Sequence, residues 1–176
     1  MKYCYRVTKY DPRFRDTDDR YTRDDWTFYA QIGKRVGGHV LTVAEYLRTE
    51  ALYLSALRLL LVEAGISRLE VRGLWLPPQP TPQLRAWLRR HVLGVQQALS
   101  FAQLVLRNRI GGQLIAPRRA YVHFGFDYYM YVGLSRPTPD AVSLIHASGL
   151  FVESAPSPYA TMRPNPGVQW TRFARH

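Results

Sequence analysis

The feature that most restricts the fold is an aromatic-rich stretch between residues 120 and 134, in which two sets of side chains alternate. One set is Val122, Phe124, Met130 and Val132, and the set between them is Tyr121, His123, Tyr129 and Tyr131. A period of two with aromatic and β-branched residues predicts strands. Residues 125–127 predict a tight turn between two strands, and a bulge within one long strand is the alternative. The chain is therefore expected to build a sheet.

Three segments carry the signals of helices. Thr42 and Glu45 have the spacing of a capping box, after which apolar residues recur at helical spacing until Gly65. Thr81 before Pro82 predicts the start of one long helix that continues to residue 107. A last short helix is expected from residue 140 to residue 148, because Gly149 then closes it.

The remaining segments complete an α+β pattern. Residues 2–10, 67–76, 113–117 and 150–153 predict strands, and residues 26–32 predict a short helix. The order β-α-α-β-α-β-β-α-β predicts a mixed or antiparallel sheet of about five strands, with three main helices packed on it. Residues 1–159 are expected to form a single domain. Residues 160–176, rich in proline and poor in aliphatic side chains, are expected to form a flexible tail.

Positive charge is concentrated in the second half of the chain. Residues 1–80 carry 13 basic and 10 acidic side chains, whereas residues 81–176 carry 11 and 3, which gives the net charge of +11. Arginine accounts for 21 of the 24 basic residues. Such a surplus is typical of proteins that bind phosphate, and it is also typical of chains encoded by a GC-rich genome. The basic residues are spread out, which favours the second explanation.

Several kinds of site are not indicated by the sequence. Cys4 is the one cysteine, which excludes an internal disulfide and a multi-thiolate metal site, and the five histidines lack zinc-pair spacing. Phosphate-binding loops, dinucleotide fingerprints and nucleophile elbows are absent from the sequence. We therefore expect no metal and no cofactor. Because no apolar run is long enough for a membrane span and the first residues do not form a secretion signal, a cytoplasmic protein without membrane contact is expected.

The candidate catalytic residues are His123, Asp127 and Tyr128. A histidine, a carboxylate and a tyrosine that are close in sequence are the residue types of a small acid–base site. Tyrosines on a strand are also what β-propensity alone predicts. The sequence leaves open whether the protein is an enzyme, and the absence of a complete catalytic motif favours a non-enzymatic role.

The aromatic stretch gives the leading functional hypothesis. Both faces of a sheet are buried only if both are covered, so some of the tyrosines are expected to remain accessible. Exposed tyrosine beside arginine is typical of protein interfaces. We therefore predict a protein-interaction module with a protein partner, whose partner-binding residues are Tyr121, Tyr129, Tyr131, Arg118 and Arg119.

Nucleic-acid binding through an arginine-rich surface is the alternative hypothesis. On the predicted long helix, Arg85 and Arg89 are four residues apart and therefore share a face. The candidate set for this function is Arg85, Arg89, Arg90, Arg107 and Arg109, and Arg118 and Arg119 contribute to the same predicted basic surface.

Four segments carry a resemblance: YRVTKYDP at 5–12, DWT at 25–27, LTVAEYL at 41–47 and VHFGFDYYMYVG at 122–133. They resemble a group of uncharacterised small bacterial proteins, some of which look like immunity proteins that neutralise toxins. The C-terminal residues are similar to the read-through peptides of bacterial integron gene cassettes. The resemblance implies an interaction or defence-type accessory protein of bacterial mobile DNA. The positive charge departs from it, since immunity proteins that face basic nucleases are commonly acidic.

Overall fold

The computed structural model describes residues 1–160; the expected tail lies outside the described residues except for Ala160. The helices of the described part are α1 (Val43–Glu63), α2 (Pro82–Arg85), α3 (Val95–Leu106) and α4 (Pro139–Ala147). Its strands are β1 (Tyr3–Thr8), β2 (Arg35–Val36), β3 (His39–Val40), β4 (Arg68–Trp75), β5 (Val92–Gly94), β6 (Gly111–Ala116), β7 (Ala120–Phe124), β8 (Met130–Leu134) and β9 (Phe151–Ser154). The predicted α+β class is confirmed.

Seven of the strands form one antiparallel sheet in the order β5-β4-β6-β7-β8-β1-β9, two strands more than expected. The hairpin of β2 and β3 stands apart from it. The first strand of the chain lies between two of the last, because Tyr5 is paired with Val132 of β8 on one side and with Ser154 of β9 on the other. Long-range pairing therefore holds the two ends of the described chain together.

The expected long helix between Pro82 and residue 107 is not found, and this prediction was wrong. The chain forms α2 and a 3-10 turn, then forms β5, which is an edge strand of the sheet, and then begins α3. Leu93 is fully buried opposite Leu69 of β4, and Gly94 caps α3 by donating its amide to Gln97 Oε1 at 3.1 Å. Helical spacing was real on both sides of the break, but pairing with β4 outweighs local propensity at residues 92–94.

The hydrophobic core lies between one face of the sheet and the helices. Helix α1 begins at the Thr42 hydroxyl, which accepts from the Glu45 amide at 3.1 Å, and contributes Tyr46, Tyr53, Leu57 and Leu60 at helical spacing. From the sheet, alternate residues of three neighbouring strands enter the same core: Val7, Val122, Met130, Val132 and Leu134. Within residues 1–160, no helix is long and apolar enough to cross a membrane.

The predicted turn between β7 and β8 is confirmed. Residues Phe126–Tyr128 form a 3-10 turn, and the Gly125 amide donates to the Tyr129 carbonyl at 2.8 Å. Tyr128 has a φ of 64°, in the left-handed region that non-glycine residues rarely occupy. Its ring is buried edge-on against the rings of Trp26, Tyr46 and Tyr53, and this packing holds the turn.

On the other face of the sheet, β7 and β8 are covered by the chain after β9, residues 155–160, which we call the cover segment. Ser157 is buried, and its Oγ lies 2.8 Å from His123 Nδ1 in a hydrogen bond. The Ser157 amide donates to the Tyr121 hydroxyl at 3.4 Å. The Tyr159 ring lies edge-on to the rings of His123 and Tyr131. Both faces of β7 and β8 are therefore buried, and every residue of these two strands is shielded from solvent.

Candidate functional site

The three candidate catalytic residues are not brought together. His123 is 4% exposed, stacks on the Tyr121 ring with centroids 4.4 Å apart, and faces the cover segment. Tyr128 lies in the core instead, where its hydroxyl donates to the Tyr46 hydroxyl at 3.0 Å. Asp127 is exposed in the turn. Burial lowers the pKa of His123 to about 4, so the imidazole is neutral at pH 7. This geometry does not support the small acid–base site.

Two of the three candidate partner-binding tyrosines are buried, which corrects the expectation that they would be accessible. Tyr121 and Tyr131 are each 8% exposed, because the cover segment packs against them. Residues 155–160 carry no strand or helix periodicity, so their packing against β7 and β8 was not predicted.

The third tyrosine, Tyr129, is half-buried beneath two arginines. Its hydroxyl accepts from Arg15 Nη1 at 2.9 Å, and the guanidinium groups of Arg6 and Arg15 lie over its ring at 5.5 and 5.3 Å. Both arginines are ion-paired with Glu153 of β9. This cluster ties the charged loop after β1 to the edge of the sheet, and it leaves little of the Tyr129 ring for a partner.

Of the candidate partner-binding arginines, Arg118 and Arg119 are exposed. They lie in the turn before β7, at the opposite end of that strand from Tyr129. The predicted set of five residues is therefore divided between two ends of the sheet and one covered face.

The arginines of the nucleic-acid hypothesis do not form one surface group either. Arg85, Arg89 and Arg90 are exposed along α2 and the following 3-10 turn, a segment that was expected to continue as a helix. Arg107 instead donates to both carboxylate oxygens of the buried Glu50, at 2.7 and 2.6 Å. That ion pair raises the pKa of Arg107, and the carboxylate of Glu50 compensates the positive charge of the guanidinium group. Arg109 is exposed.

A polar cleft of about 420 Å³ lies beside the hairpin of β2 and β3. At its base the Lys9 ammonium is 2.7 Å from Asp25 Oδ2 and 4.2 Å from the ring centroids of both Tyr10 and Trp26. Burial lowers the pKa of Lys9 to about 8. The ammonium nitrogen itself is fully shielded from solvent, so it holds the aromatic rings and Asp25 together and is closed to a ligand.

The rim of the polar cleft carries a second pair of polar side chains, His39 and Glu45, with 3.3 Å between Nε2 and Oε1. The Glu45 carboxylate also accepts from Trp26 Nε1 at 3.3 Å. Metal binding is not supported here: in residues 1–160 no group of three or more His, Cys, Asp or Glu side chains is arranged to hold an ion.

A second, apolar cleft of about 460 Å³ lies between the first turn of α1 and the chain before β2. We call it the apolar cleft, and its lining residues are Tyr29, Ala30, Ile32, Val43, Leu47 and Arg107. Val43 is 56% exposed, Leu47 is 44% exposed and Tyr29 is 38% exposed. Large apolar side chains are thus gathered at the surface around one concavity.

Local hydrogen bonding makes the wall of the apolar cleft rigid. Residues Tyr29–Gln31 form a 3-10 turn, and Gln31 Oε1 accepts from the amides of Thr27 and Phe28 at 2.7 and 3.2 Å. The Tyr29 ring packs edge-on to the buried Tyr46 ring at 5.1 Å. Because these contacts fix the turn, the cleft is shaped before any partner arrives.

Sequence reasoning missed this cleft. Leu47 is 44% exposed, whereas Tyr46, Tyr53 and Leu57 on the same helix are fully buried. Val43 and Leu47 are four residues apart and therefore lie next to each other on the helix surface, at the border of the buried stripe.

Comparisons with known proteins add no family. A scan of protein-family models gives no match, and searches of curated proteins and of solved structures give none either.

Proposed function

We propose that the chain is a non-enzymatic protein-interaction module whose apolar cleft receives an apolar side chain of an acidic partner protein. The observation that carries the proposal is the exposure of Tyr29, Val43 and Leu47 around one cleft. Contiguous exposed apolar surface is uncommon on a soluble protein and marks a contact site where it is retained.

The size and composition of the surface favour a protein over a small molecule. Beyond the cleft, Phe28 and Val40 are each 45% exposed on the adjoining segments, so the apolar surface extends past one pocket. Sites for small molecules bring together several free polar groups that orient the ligand. The charged residue of this cleft, Arg107, already donates to Glu50.

Charge supports an acidic partner. Lys34 is exposed on the chain before β2, which forms one wall of the cleft, and it has no ion pair among the described residues. Opposite charge around an apolar centre speeds association and selects the partner. With a net charge of +11, two copies of the chain repel one another, which disfavours self-association.

The placement of the titratable groups supports binding over catalysis. The neutral imidazole of His123 is enclosed by the cover segment, and the Lys9 ammonium is enclosed by Tyr10, Trp26 and Asp25. The resemblance to immunity-like proteins suggests the class of partner, a toxin or another defence protein met in the cytoplasm.

The test uses two valines of the same helix. Val43 and Val62 are both on α1 and are 56% and 61% exposed, but Val62 lies at the far end of the helix from the cleft. Wild type, Val43→Asp and Val62→Asp are each immobilised and exposed to a lysate of the source cells. A protein retained by wild type and by Val62→Asp is then purified, and its affinity for all three chains is measured by calorimetry.

We expect Val43→Asp to weaken binding by at least about tenfold, because it places a carboxylate in an apolar contact that faces an acidic partner. Val62→Asp changes the net charge equally and should bind like wild type. Equal affinities for the two variants, or a purified partner with a basic contact surface, would contradict the proposal. Light scattering of the free chain provides a further check, since a dimer disrupted by Val43→Asp would make the second copy the occupant.

A further inference from the structure

The topology gathers basic residues from separate parts of the chain at one end of the sheet. Arg68 begins β4, Arg118 and Arg119 form the turn between β6 and β7, and Arg136 follows β8. We call these four residues the arginine edge. They come from segments up to 68 positions apart in sequence, so sequence reasoning found neither their proximity nor the roles of Arg68 and Arg136.

Strand register places the backbones of the four residues at neighbouring positions along this end of the sheet. Glu70 is paired with Ile115, so Arg68 lies beside the turn that follows Ala116. Ala120 is paired with Leu134, and the Ser135 amide donates to the Arg119 carbonyl at 2.9 Å, which sets Arg136 next to the same turn. Neighbouring strands are about 4.8 Å apart, so the arginine edge spans roughly 15 Å across four adjacent strands.

The guanidinium groups of the arginine edge are exposed and lack acidic partners. None of the four forms an ion pair within residues 1–160. Arg119 Nη2 donates to the Gly65 carbonyl at 2.7 Å, and side-chain nitrogens of Arg119 and Arg136 both lie within 4.0 Å of where a Cβ of Gly65 would be. Like charges are therefore held close together at the end of α1.

The acidic side chain of α1 nearest to this end serves another purpose. Both carboxylate oxygens of Glu63 accept backbone amides at the start of α4, from Asp140 at 3.3 Å and Ala141 at 2.6 Å. Glu63 thus satisfies the amides of a helix N-terminus and does not neutralise the arginine edge.

We propose that the arginine edge binds the phosphate backbone of a nucleic-acid duplex without reading its sequence. Arginine contacts phosphate through two parallel hydrogen bonds, and a duplex presents about one charge per 1.7 Å of its axis, so a row of this length faces several phosphates at once. Single strands are bound through stacked aromatic rings as well. Within residues 1–160, the exposed aromatic residues Phe28, Tyr29 and Phe126 lie at the other end of the sheet, which favours a duplex.

This site is separate from the apolar cleft. The cleft is at the first turn of α1 and the arginine edge is at its last, about 30 Å away along a helix of 21 residues. Variants at one site should therefore leave binding at the other site unaffected, and each site can be tested on its own.

The experiment compares two triple variants of the full chain that carry the same net charge. One replaces three residues of the edge, Arg68→Gln, Arg118→Gln and Arg136→Gln, and leaves the hydrogen bond of Arg119 in place. The other replaces three exposed arginines away from the edge, Arg85→Gln, Arg89→Gln and Arg90→Gln. Binding of a fluorescent DNA duplex of arbitrary sequence, about 20 base pairs long, is followed by anisotropy between about 50 and 200 mM salt.

We expect the edge variant to lose at least about tenfold in affinity and to reduce the slope of log affinity against log salt by about 2 to 3. The matched variant should change both quantities by much less. Melting curves that coincide with wild type show that both variants are folded. The proposal is overturned if the wild type does not bind the duplex at low salt, if the two variants weaken binding equally, or if polyglutamate competes as well as an unlabelled duplex.

Discussion

The two faces of the central sheet exclude water in different ways. The face toward the helices is lined by aliphatic side chains, such as Val122, Val132 and Leu134, which are fully buried beneath helices. On the opposite face, β7 and β8 carry Tyr121, His123 and Tyr131, and a segment of a few residues covers these side chains. At β7 and β8, one face is therefore buried by a layer of helices, and the other by a single segment of chain.

The difference between the two faces shows that a thin cover must supply hydrogen-bond partners for the polar side chains that it buries. Aliphatic groups need only close packing, whereas imidazole and phenol groups bring polar atoms that must be paired when they are buried. Ser157 meets this need twice, through its hydroxyl to His123 and through its amide to Tyr121. A short segment is enough because it carries hydrogen-bond partners as well as a ring, Tyr159. Because the segment is short, the burial of this face depends on few contacts.

The largest expected effect is on the helix-covered face. Leu134→Ala should lower the free energy of unfolding by about 3 kcal/mol, because it removes buried aliphatic surface and leaves a cavity in a layer that cannot collapse. Urea unfolding measures the change. Leu144→Ala, at a position 55% exposed on α4, is the matched control and should cost less than about 0.5 kcal/mol. Equal costs for the two leucines would show that the helical layer is not the main core.

Truncation tests the thin cover. A chain that ends after Ser154 loses Ser157 and Tyr159, and we expect its unfolding free energy to fall by about 2 to 3 kcal/mol as Tyr121 and Tyr131 become exposed. A chain that ends after Tyr159 keeps the cover segment almost complete and should melt like the full chain. Thermal melting of the three chains measures this. A loss that is already complete in the longer truncation would place the essential cover beyond residue 159.

The buried histidine gives the second face a pH dependence. Its folded pKa of about 4 is below the ordinary value of 6.5, so the unfolded chain binds a proton first as the pH falls. The stability present at pH 7 is therefore lost through the window from about 6.5 down to 4. Between pH 7 and pH 5 we expect His123 to contribute a loss of about 2 kcal/mol.

The measurement is urea unfolding of wild type and His123→Gln at both pH values. The variant should lose less stability than wild type over this range, because glutamine does not titrate. Parallel losses in the two proteins would mean that His123 is accessible to solvent and that the cover segment is open.

The smallest expected effect concerns one hydroxyl. Ser157→Ala should cost about 1 kcal/mol in unfolding free energy, since it leaves a buried nitrogen of His123 without its partner. Ser143→Ala removes an exposed serine hydrogen bond on α4 and should be close to neutral. Identical melting temperatures for the two alanine variants would show that water replaces Ser157, and hence that the cover is not dry.

Local signals predicted most of the fold. The Thr42 cap and Gly65 correctly bounded α1, and alternation around the turn at residues 125–127 gave β7 and β8. The break at Gly94 was missed because helical spacing continues on both sides of it, up to His91 and again from Val95. Leu93 lies off that stripe, and its pairing opposite Leu69, which lies 24 positions away, places it in a strand.

The candidate sites were harder to predict because they depend on contacts distant in sequence. Some tyrosines of the aromatic stretch were expected to be accessible, since no pattern in residues 155–160 predicts that this segment packs against the sheet. Arg107 was counted as a free charge, and its partner Glu50 lies on another helix. In each case the exposure or the free charge of the side chain is determined by a contact with a residue distant in sequence, which a local pattern does not show.

The position of β1 also has a consequence for synthesis on the ribosome. Both strands that pair with it, β8 and β9, are made late, so β1 has no partner in the sheet until β8 has left the ribosome, and β9 follows only afterwards. At roughly 5 to 20 residues per second, the nascent chain waits for about 6 to 25 s with this strand unpaired. During that interval the exposed backbone of residues 3–8 is a substrate for chaperones and for misassembly with neighbouring chains, and translation speed becomes a determinant of yield.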